Sequence, residues 1–270
     1  VRNAVAVGAD PSRLAILDNF CWGNTDRPET LGSLVRAALA CHDVAVAWKT
    51  PFISGKDSLN NEFTWVDDSG QRQTIAIPPS LLISAMGQVA DVAKCVTMDL
   101  KEVGNALYLV GCTRRELGGS HLLSVLGLSG GAVPQVDLSS AKTIFERVHA
   151  AIDGGLVRAC HDLSEGGLAV AFAEMSFAGQ LGAEINIADA QQASGLNAVE
   201  FLFAESNSRF LIEVDASKQS EWETLMSDVA CARLGSVTSG QQVVVRSGEE
   251  VWIDRPWKAL FDAWHQPLDW

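Results

Sequence analysis

The chain is poor in basic residues. It contains 20 Lys and Arg against 33 Asp and Glu, which gives a net charge of −13 at pH 7. Nucleic-acid-binding surfaces normally carry a basic stripe, so this balance argues against a nucleic-acid partner. The same negative field means that a phosphate ligand needs local Lys, Arg, backbone N–H groups or a metal ion to offset it.

Cysteine motifs and long apolar runs are also lacking. The six cysteines are scattered, with no CxxC pair and no spacing typical of a zinc site. Several lie in apolar runs, which favours reduced core residues in a cytoplasmic protein. No signal peptide and no run of about eighteen apolar residues is seen, so we expect no membrane partner. The chain starts at Val1 and has no initiator Met, which indicates a fragment of a longer chain.

What is present is the composition of a globular protein, with 47% hydrophobic residues over a length of 270. That length suits roughly two domains. Strand and helix patterns are mixed, which predicts an α+β (mixed α/β) fold. We expect a sheet domain over residues 1–101, an α/β domain over 102–254 and a terminal helix and tail over 255–270. The tail is apolar, with Trp257, Trp264 and Trp270, and is predicted to pack on a neighbouring domain.

The first part is predicted to hold two short strands, a long helix, a hairpin and a buried strand. The strands are residues 4–7, 14–17, 62–66 with 73–77 as the hairpin, and 81–89; the helix starts near Asp26 and Pro28 and is ended by Pro51. The helix prediction follows from apolar residues at three- and four-residue steps. Asp26 is interpreted as its capping acid and Pro28 as a first-turn proline.

The stretch from Pro51 to Glu62 contains Gly55-Lys56-Asp57-Ser58 directly after a short apolar run. Glycine allows a ligand to approach the backbone, and Lys beside Ser is common in phosphate sites. Charged residues do not suit a buried strand, so we interpret the stretch as a loop at a strand end. Asp18 ends an earlier apolar run and could hold a metal or a ribose hydroxyl, or could be a turn or capping acid.

The second part contains His161-Asp162-Leu163-Ser164-Glu165-Gly166-Gly167 between a predicted strand and a predicted helix. The N-terminus of a helix has unpaired N–H groups and favours negative charge. Asp162 is itself acidic, so it would assist phosphate binding only through a cation such as Mg²⁺. The alternative is that Asp162 or Ser164 caps the helix. The glycines of Leu117-Gly118-Gly119-Ser120 also precede a predicted helix and could bind an anion.

These motifs together resemble the second half of phosphoribosylformylglycinamidine synthase, the amidotransferase of de novo purine synthesis. The resemblance covers essentially the whole chain. It implies an aminoimidazole ribonucleotide synthetase-like fold, with an incomplete N-terminal sheet domain followed by a C-terminal α/β sandwich domain. The motifs that carry it are Asp18-Asn19, Gly55-Lys56-Asp57-Ser58, Leu81 to Gly87, Leu117 to Ser120 and His161 to Leu168.

The resemblance implies an ATP-dependent C–N ligase with ATP and Mg²⁺ as cofactors. ATP phosphorylates the amide oxygen of formylglycinamide ribonucleotide, and ammonia from glutamine then displaces phosphate from the iminophosphate. The implied partners are that substrate, the first half of the synthetase in the same longer chain, and a glutaminase domain or subunit. The catalytic residues are unknown and are expected on the missing first half, so this fragment alone is expected to be inactive.

The resemblance also implies roles for residues of the first part. Asp18 and Gly55 match positions that contact ATP, and Ser58 matches a position that contacts the substrate. Lys56 stands where some members have a metal-binding Asn. Because a lysine cannot bind Mg²⁺, Lys56 is interpreted as a partner of ATP phosphate.

In the second part, the resemblance implies that Asp162 is a magnesium ligand and Ser164 a nucleotide-contacting hydroxyl. Both would belong to a second, pseudo-symmetric nucleotide site.

Two alternatives stay open. One is another enzyme of the same architecture, such as aminoimidazole ribonucleotide synthetase, a selenide or thiamine-phosphate kinase, or a hydrogenase maturation factor. These share the nucleotide chemistry but lack the combination of Gly55 to Ser58 with Asn60-Asn61-Glu62. The other is a half that binds a nucleotide structurally, acts as a scaffold and has no activity of its own.

Overall fold

A computed structural model describes residues 1–268 of the chain. Contacts between residues divide these into two compact units. The first unit contains residues 10–88 together with Val1, and the second contains residues 2–9 and the chain from Val89 onward.

The helices and strands of residues 1–268 are numbered in chain order. The helices are α1 (Arg2–Ala6), α2 (Pro28–Trp48), α3 (His121–Val125), α4 (Leu138–Asp153), α5 (Gly167–Gly179), α6 (Ala188–Ser194), α7 (Ala198–Phe203), α8 (Gln219–Leu225) and α9 (Trp257–His265). The strands are β1 (Leu14–Cys21), β2 (Phe52–Ser58), β3 (Glu62–Val66), β4 (Arg72–Ala76), β5 (Ser80–Gly87), β6 (Ala106–Val110), β7 (Val157–Asp162), β8 (Gly182–Asn186), β9 (Phe210–Val214), β10 (Cys231–Thr238), β11 (Gln242–Ser247) and β12 (Glu250–Pro256).

The first unit is built on a three-stranded sheet with β1 in the middle. β2 pairs with β1 in parallel, and β5 pairs with β1 on the other side in antiparallel register. The parallel pair needs a crossover connection, and α2 supplies it. The predicted hairpin is confirmed as β3 and β4, which are closed by a turn in which Asp67 accepts hydrogen bonds from the backbone of Ser69 and Gln71.

Helix α2, from Pro28 to Trp48, confirms the helix predicted between Asp26 and Pro51, but the predicted cap is wrong. The N-cap residue is Arg27, and its side chain makes no capping hydrogen bond. Pro28 and Glu29 still favour a start here, because proline suits the first turn and an acid suits the positive end of the dipole. The helix ends at Trp48, and its C-cap residue Lys49 has a left-handed conformation with φ 60°.

By length and composition alone, α2 could also cross a membrane. It has 21 residues, and its most apolar window has a mean hydropathy of 1.2. The core helix of a soluble protein and a signal sequence pass the same test, so this is weak evidence. The absence of a membrane partner stays a prediction.

Two interpretations of the first unit are wrong. The predicted loop around Gly55 is part of strand β2, whose side chains are mostly exposed. An edge strand in water tolerates Lys56 and Asp57, which a buried strand would not. The strand predicted to be buried is β5, and all its residues are exposed, with Leu82 at 64%. An apolar run does not reveal its exposure, and β5 is the other edge of the sheet.

The second unit contains a seven-stranded sheet in the order β12-β11-β8-β10-β6-β9-β7. Every residue of β6 and β9 is buried, so both faces of the sheet are covered at these two neighbouring strands. The core includes Leu107, Phe172, Met175 and Ile185, all of which are fully buried.

The terminal helix α9 packs on α5 within the second unit. The ring of Phe177 lies 5.7 Å from the ring of Phe261 and 5.5 Å from that of Trp264, measured between centroids. The predicted contribution of Trp270 lies outside the described residues.

The opening segment is a helix, so the strand predicted at residues 4–7 is wrong. Helix α1 packs on α4 and β7, and Val5 and Ala6 are buried. A few alternating apolar residues fit either structure, and tertiary packing decides between them. This helix brings Arg2 and Asn3 to the end of β7.

Candidate functional site

Asp18 and Gly55 are neighbours on adjacent strands of the first unit. Asp18 of β1 is paired with Gly55 of β2 in the parallel register. A Cβ atom at position 55 would lie 2.3 Å from Oδ1 of Asp18, which is too close for both to keep their places. The backbone N–H of Lys56 donates to the same oxygen over 3.2 Å. Gly55 thus leaves room for a carboxylate that the next N–H orients.

Lys56 and Ser58 form a second pair. The Lys56 ammonium donates to the Ser58 hydroxyl and, over 3.5 Å, to the carbonyl of Asp57. Successive strand residues point to opposite faces of a sheet, so this pair lies on the face opposite the Asp18 carboxylate. The structure therefore brings the four predicted residues together as two pairs, one on each face of β2.

Asp162 and Ser164 are joined by Arg2 in the second unit. Arg2 donates through Nε to Oδ2 of Asp162 over 3.0 Å and through Nη2 to Oγ of Ser164 over 2.6 Å. Asn3 donates to the other oxygen of Asp162 over 3.4 Å. Helix α5 has Gly166 as its N-cap and no side-chain cap, so the capping alternative for Asp162 and Ser164 is wrong.

His161 extends this cluster toward Glu174. Its Nε2 lies 2.8 Å from Oε2 of Glu174, and its Nδ1 lies 3.7 Å from Oδ1 of Asp162. Burial opposes a charge on the ring, but Asp162 and Glu174 outweigh burial and raise the pKa of His161 to about 9. Burial also opposes a charge on Asp162, but His161 and Arg2 hold the pKa of that carboxyl well below its usual range. Two cations and two carboxylates therefore balance one another here.

These residues do not fit a divalent cation. Within residues 1–268, no group of three or more His, Cys, Asp or Glu side chains is arranged to hold a metal ion. At the predicted ligand, Asp162, the guanidinium of Arg2 already supplies the neutralising charge at 3.0 Å. Mg²⁺ is usually held by carboxylates and phosphate oxygens, and a neighbouring guanidinium repels it.

The glycines of the two turns that could bind an anion are explained by packing of the chain on itself. A Cβ atom at Gly167 would lie 2.5 Å from the carbonyl oxygen of Ala204, and one at Gly118 would lie 2.7 Å from that of Gly131. Gly167 also has a φ of +64°, which L side chains rarely adopt. Both glycines are therefore needed whether or not a ligand binds.

A family model described as "AIR synthase related protein, C-terminal domain" matches residues 102–248, which is more than half of the chain. The chain belongs to the AIR synthase-related family. The matched residues lie in the second unit and include Asp162, Ser164 and both glycine turns.

Relatives of this AIR synthase-related chain extend the match to both units. The chain is 34% identical over 265 residues to phosphoribosylformylglycinamidine synthase subunit PurL of Thermococcus sibiricus, with 97% of the chain and 35% of the relative covered. It is 36% identical over 276 residues to the subunit of that name from Synechocystis, with 99% and 34% covered. The chain thus spans about a third of the length of the curated relatives it matches.

Solved structures show the same fold. T. maritima PurL complexed with FGAR matches with a TM-score of 0.70 at 17% identity, over 96% of this chain and 41% of that one. T. maritima PurL complexed with ATP gives a TM-score of 0.67 at 17% identity, over 96% and 39%. Hydrogenase maturation protein HypE in complex with ATP gives 0.61 at 14% identity, over 93% and 75%. The fold is therefore that of AIR synthase-like proteins.

Sequence reasoning missed Arg2, Asn3 and Glu174 of this AIR synthase-related chain. Arg2 and Asn3 directly precede the strand predicted at residues 4–7, and 160 positions separate Arg2 from Asp162. No local spacing reveals a contact over that distance. Only Glu174 had a local signal. A helix that starts at Gly167 places Glu174 two turns from its start, and the side chain contacts His161, which lies at the end of the preceding strand.

Proposed function

We propose that this chain is part of the ATP-dependent synthetase that converts formylglycinamide ribonucleotide and glutamine-derived ammonia to formylglycinamidine ribonucleotide, ADP and phosphate. The observation that carries the proposal is the alignment of 97–99% of the chain, at 34–36% identity, with relatives named phosphoribosylformylglycinamidine synthase subunit PurL. The solved PurL structures complexed with ATP and with FGAR support ATP and that ribonucleotide as ligands.

The first proposed site is on strand β2 and its neighbour β1, at the edge of the sheet, where a ligand can reach both the face with Asp18 and the face with Lys56 and Ser58. Asp18 is oriented by the N–H of Lys56, so its carboxylate can accept a hydrogen bond from a ribose hydroxyl of ATP. Lys56 places an exposed ammonium beside Ser58. A phosphate oxygen can replace Ser58 as the acceptor of that ammonium, which frees the hydroxyl for the ribonucleotide substrate. Phosphoryl transfer needs such positioning and charge neutralisation more than covalent chemistry.

The second proposed site is on Ser164 and Arg2. The guanidinium holds the Ser164 hydroxyl over 2.6 Å and has further N–H groups that suit a phosphate. Asp162 fixes the guanidinium through its ion pair. Magnesium, which the resemblance implies at Asp162, is given no role in this proposal, because the guanidinium of Arg2 already neutralises that carboxylate at 3.0 Å.

The remaining partners follow from the length of the relatives. We expect the catalytic residues on the part of the synthetase that this chain does not span. A glutaminase domain or subunit would supply ammonia. The cysteine pattern supports a cytoplasmic location.

Turnover of the full-length synthetase tests the first site. Ammonia, ATP and formylglycinamide ribonucleotide are supplied, and phosphate release is measured for Lys56→Ala and Ser58→Ala. We expect kcat/KM to fall about a hundredfold for Lys56→Ala, because the variant lacks the positive charge that is positioned to contact the phosphate being transferred. Arg36→Ala is the matched control, because it removes an exposed cation of the same unit. Wild-type rates in both test variants would show that β2 is not part of the active site.

The scaffold alternative makes a different prediction for the same assay. A half that only holds a nucleotide structurally loses bound nucleotide on Ser164→Ala and keeps its initial rate on Lys56→Ala. The two variants therefore separate an active-site role of the first unit from a structural role of the second.

A further inference from the structure

Glu205 connects two turns that are far apart in sequence. Its Oε1 accepts a hydrogen bond from the backbone N–H of His121 over 2.9 Å and another from that of Gly166 over 2.8 Å. One carboxylate oxygen thus satisfies the first N–H of α3 and the N-cap N–H of α5. Hydrogen bonds from N–H groups to an ionised carboxylate are stronger than neutral ones, and the positive end of the α5 dipole adds to them.

The segment that carries Glu205 is itself held rigidly. Arg209 is fully buried, and its guanidinium donates to the carbonyl of Ser206 over 3.0 Å, to Oγ1 of Thr113 over 3.0 Å and to the carbonyl of Ala204. A buried guanidinium with carbonyl partners on both sides of residue 205 leaves that backbone little freedom. Glu205 therefore starts from a fixed position.

The first partner of Glu205 lies in a glycine-rich loop, residues 118–131, called the glycine loop below. Its ends meet where the N–H of Gly118 donates to the carbonyl of Ala132 over 2.8 Å. Inside the loop, four glycines have positive φ, and Val125 is 84% exposed. A compact loop with close ends and few buried side chains depends on single contacts for its order. The bond from His121 to Glu205 ties the first part of this loop, at the start of α3, to the rest of the unit.

The second partner, Gly166, belongs to the turn that presents Ser164. The N–H of Gly167 donates to the carbonyl of Ser164 over 3.1 Å, so the turn from Ser164 to Gly167 is one hydrogen-bonded piece. Glu205 fixes its middle. The glycine loop and the Ser164 turn are therefore held to the same carboxylate oxygen.

We propose that Glu205 is a positioning residue for the second site. Its carboxylate connects the glycine loop to the turn that presents Ser164 through the hydrogen bonds from His121 and Gly166, and these two bonds are called the latch below. The expected effect on nucleotide affinity rests on the proposed function, whereas the latch itself rests only on the two hydrogen bonds to Glu205. Glu205 occupies two N–H groups, those of His121 and Gly166, that the glycine turns would otherwise offer to an anion. Phosphate contacts in the second unit then fall to Arg2 and Ser164.

The test uses the full-length synthetase with Glu205→Ala, Glu205→Gln and the control Glu165→Ala, which removes an exposed acid from the same turn. Amide hydrogen exchange is followed at His121 and Gly166. Titration with ADP gives the affinity, and thermal unfolding gives the stability of each variant. Ser164→Ala marks the part of the ADP signal that belongs to the second unit.

For Glu205→Ala we expect exchange at both amides to be about tenfold faster, since each donor loses its acceptor. We expect ADP affinity in the second unit to fall about tenfold. Glu205→Gln should restore most of the exchange protection and most of the ADP affinity, because its amide oxygen still accepts hydrogen bonds. It also allows the test to be made if the alanine variant does not fold. Glu165→Ala should match the wild type.

Exchange at His121 and Gly166 that stays at the wild-type rate in Glu205→Ala overturns the latch. Suppose that Ser164→Ala shows the ADP signal to depend on Ser164. If Glu205→Ala then speeds amide exchange but leaves ADP affinity unchanged, the positioning role is overturned. If the wild-type ADP signal does not depend on Ser164, the proposed second site fails, and the exchange rates still decide the latch. A purely structural role would lower ADP affinity and melting temperature together. The positioning role instead predicts that Glu205→Ala loses ADP affinity at an unchanged melting temperature and that Glu205→Gln restores the affinity.

Discussion

The carboxylate of Asp18 occupies the space that a side chain at position 55 would need, since a Cβ atom there would lie 2.3 Å from Oδ1. This explains a glycine in the middle of strand β2, where it weakens the strand. The strand register sets the relationship, because Asp18 pairs with Gly55 directly. The orientation of the carboxylate and the identity of residue 55 therefore depend on each other.

Gly55→Ala should displace the Asp18 carboxylate and break its hydrogen bond from the N–H of Lys56. On the proposed function, we expect ATP affinity of the full-length synthetase to fall about tenfold or more, as one aimed hydrogen bond is lost. The measurement is the KM for ATP in the ammonia-dependent reaction. Gly32→Ala is the matched control, because nothing lies within 4 Å of a Cβ atom there. An unchanged KM for ATP in Gly55→Ala would remove Asp18 from the site.

Gly167→Ala should destabilise the second unit. The new Cβ atom would lie 2.5 Å from the carbonyl oxygen of Ala204, and the residue keeps a φ of +64°. Crowding and backbone strain together should lower the free energy of unfolding by roughly 2–4 kcal/mol. Gly195→Ala also has a positive φ but open space around it, so it should cost only about 1 kcal/mol. Urea unfolding measures both, and equal costs would contradict the packing explanation.

Much of the fold follows from local patterns. The helix from Pro28 to Trp48 was predictable because its apolar residues recur at helical steps. The hairpin of β3 and β4 was predictable because Asp67 to Gly70 are turn-forming residues. Helix α1 was not, since five residues carry too little periodicity and the decision lies in packing against α4 and β7. The exposure of β5 was missed because sequence does not say which strands end at a sheet edge.

The candidate site was predictable in part. Asp18, Gly55 and Lys56 could be selected because polar residues and a glycine directly after apolar runs indicate a site at strand ends, although the stretch around Gly55 is a strand and not the predicted loop. Their division between two faces of β2 follows only from the register of β1 and β2. The pairing of Arg2 with Asp162 was out of reach, because 160 residues separate them and no local pattern connects them.

His161 should titrate well above an ordinary histidine, since Asp162 and Glu174 overcome burial and raise its pKa to about 9. A pKa raised on folding means that the folded state holds the proton more tightly. This stabilisation is fully present below the unfolded pKa of about 6.5 and is lost as pH rises through about 9.

Glu174→Gln tests the origin of the shift. It removes one of the two carboxylates beside the ring, 2.8 Å from Nε2, so the pKa of His161 should fall and the loss of stability should begin at lower pH. NMR titration of the ring measures the pKa, and urea unfolding between pH 6 and 10 measures the stability. Glu165→Gln is the control, as an exposed acid of the adjoining turn. A wild-type titration in Glu174→Gln would contradict the assignment of the shift to this pair.

Arg2 and Asp162 should behave as one unit in stability and as separate residues in binding. Removing either partner takes an ion-pair contact from the other, and breaking a fully buried pair costs about 3–5 kcal/mol. The pair is partly exposed, with 20% and 9% of the side chains accessible. We therefore expect Arg2→Ala or Asp162→Ala to lower the free energy of unfolding by about 1–3 kcal/mol, and the double variant to lose less than the sum of the two.

ADP binding in the second unit should need Arg2 more than Asp162, because the guanidinium contacts Ser164 over 2.6 Å, whereas the carboxylate only holds the guanidinium in place. Isothermal titration with ADP, in chelator and in magnesium, measures this. An ADP affinity that depends on magnesium and on Asp162, yet survives Arg2→Ala, would show that a metal ion and not the guanidinium neutralises the site.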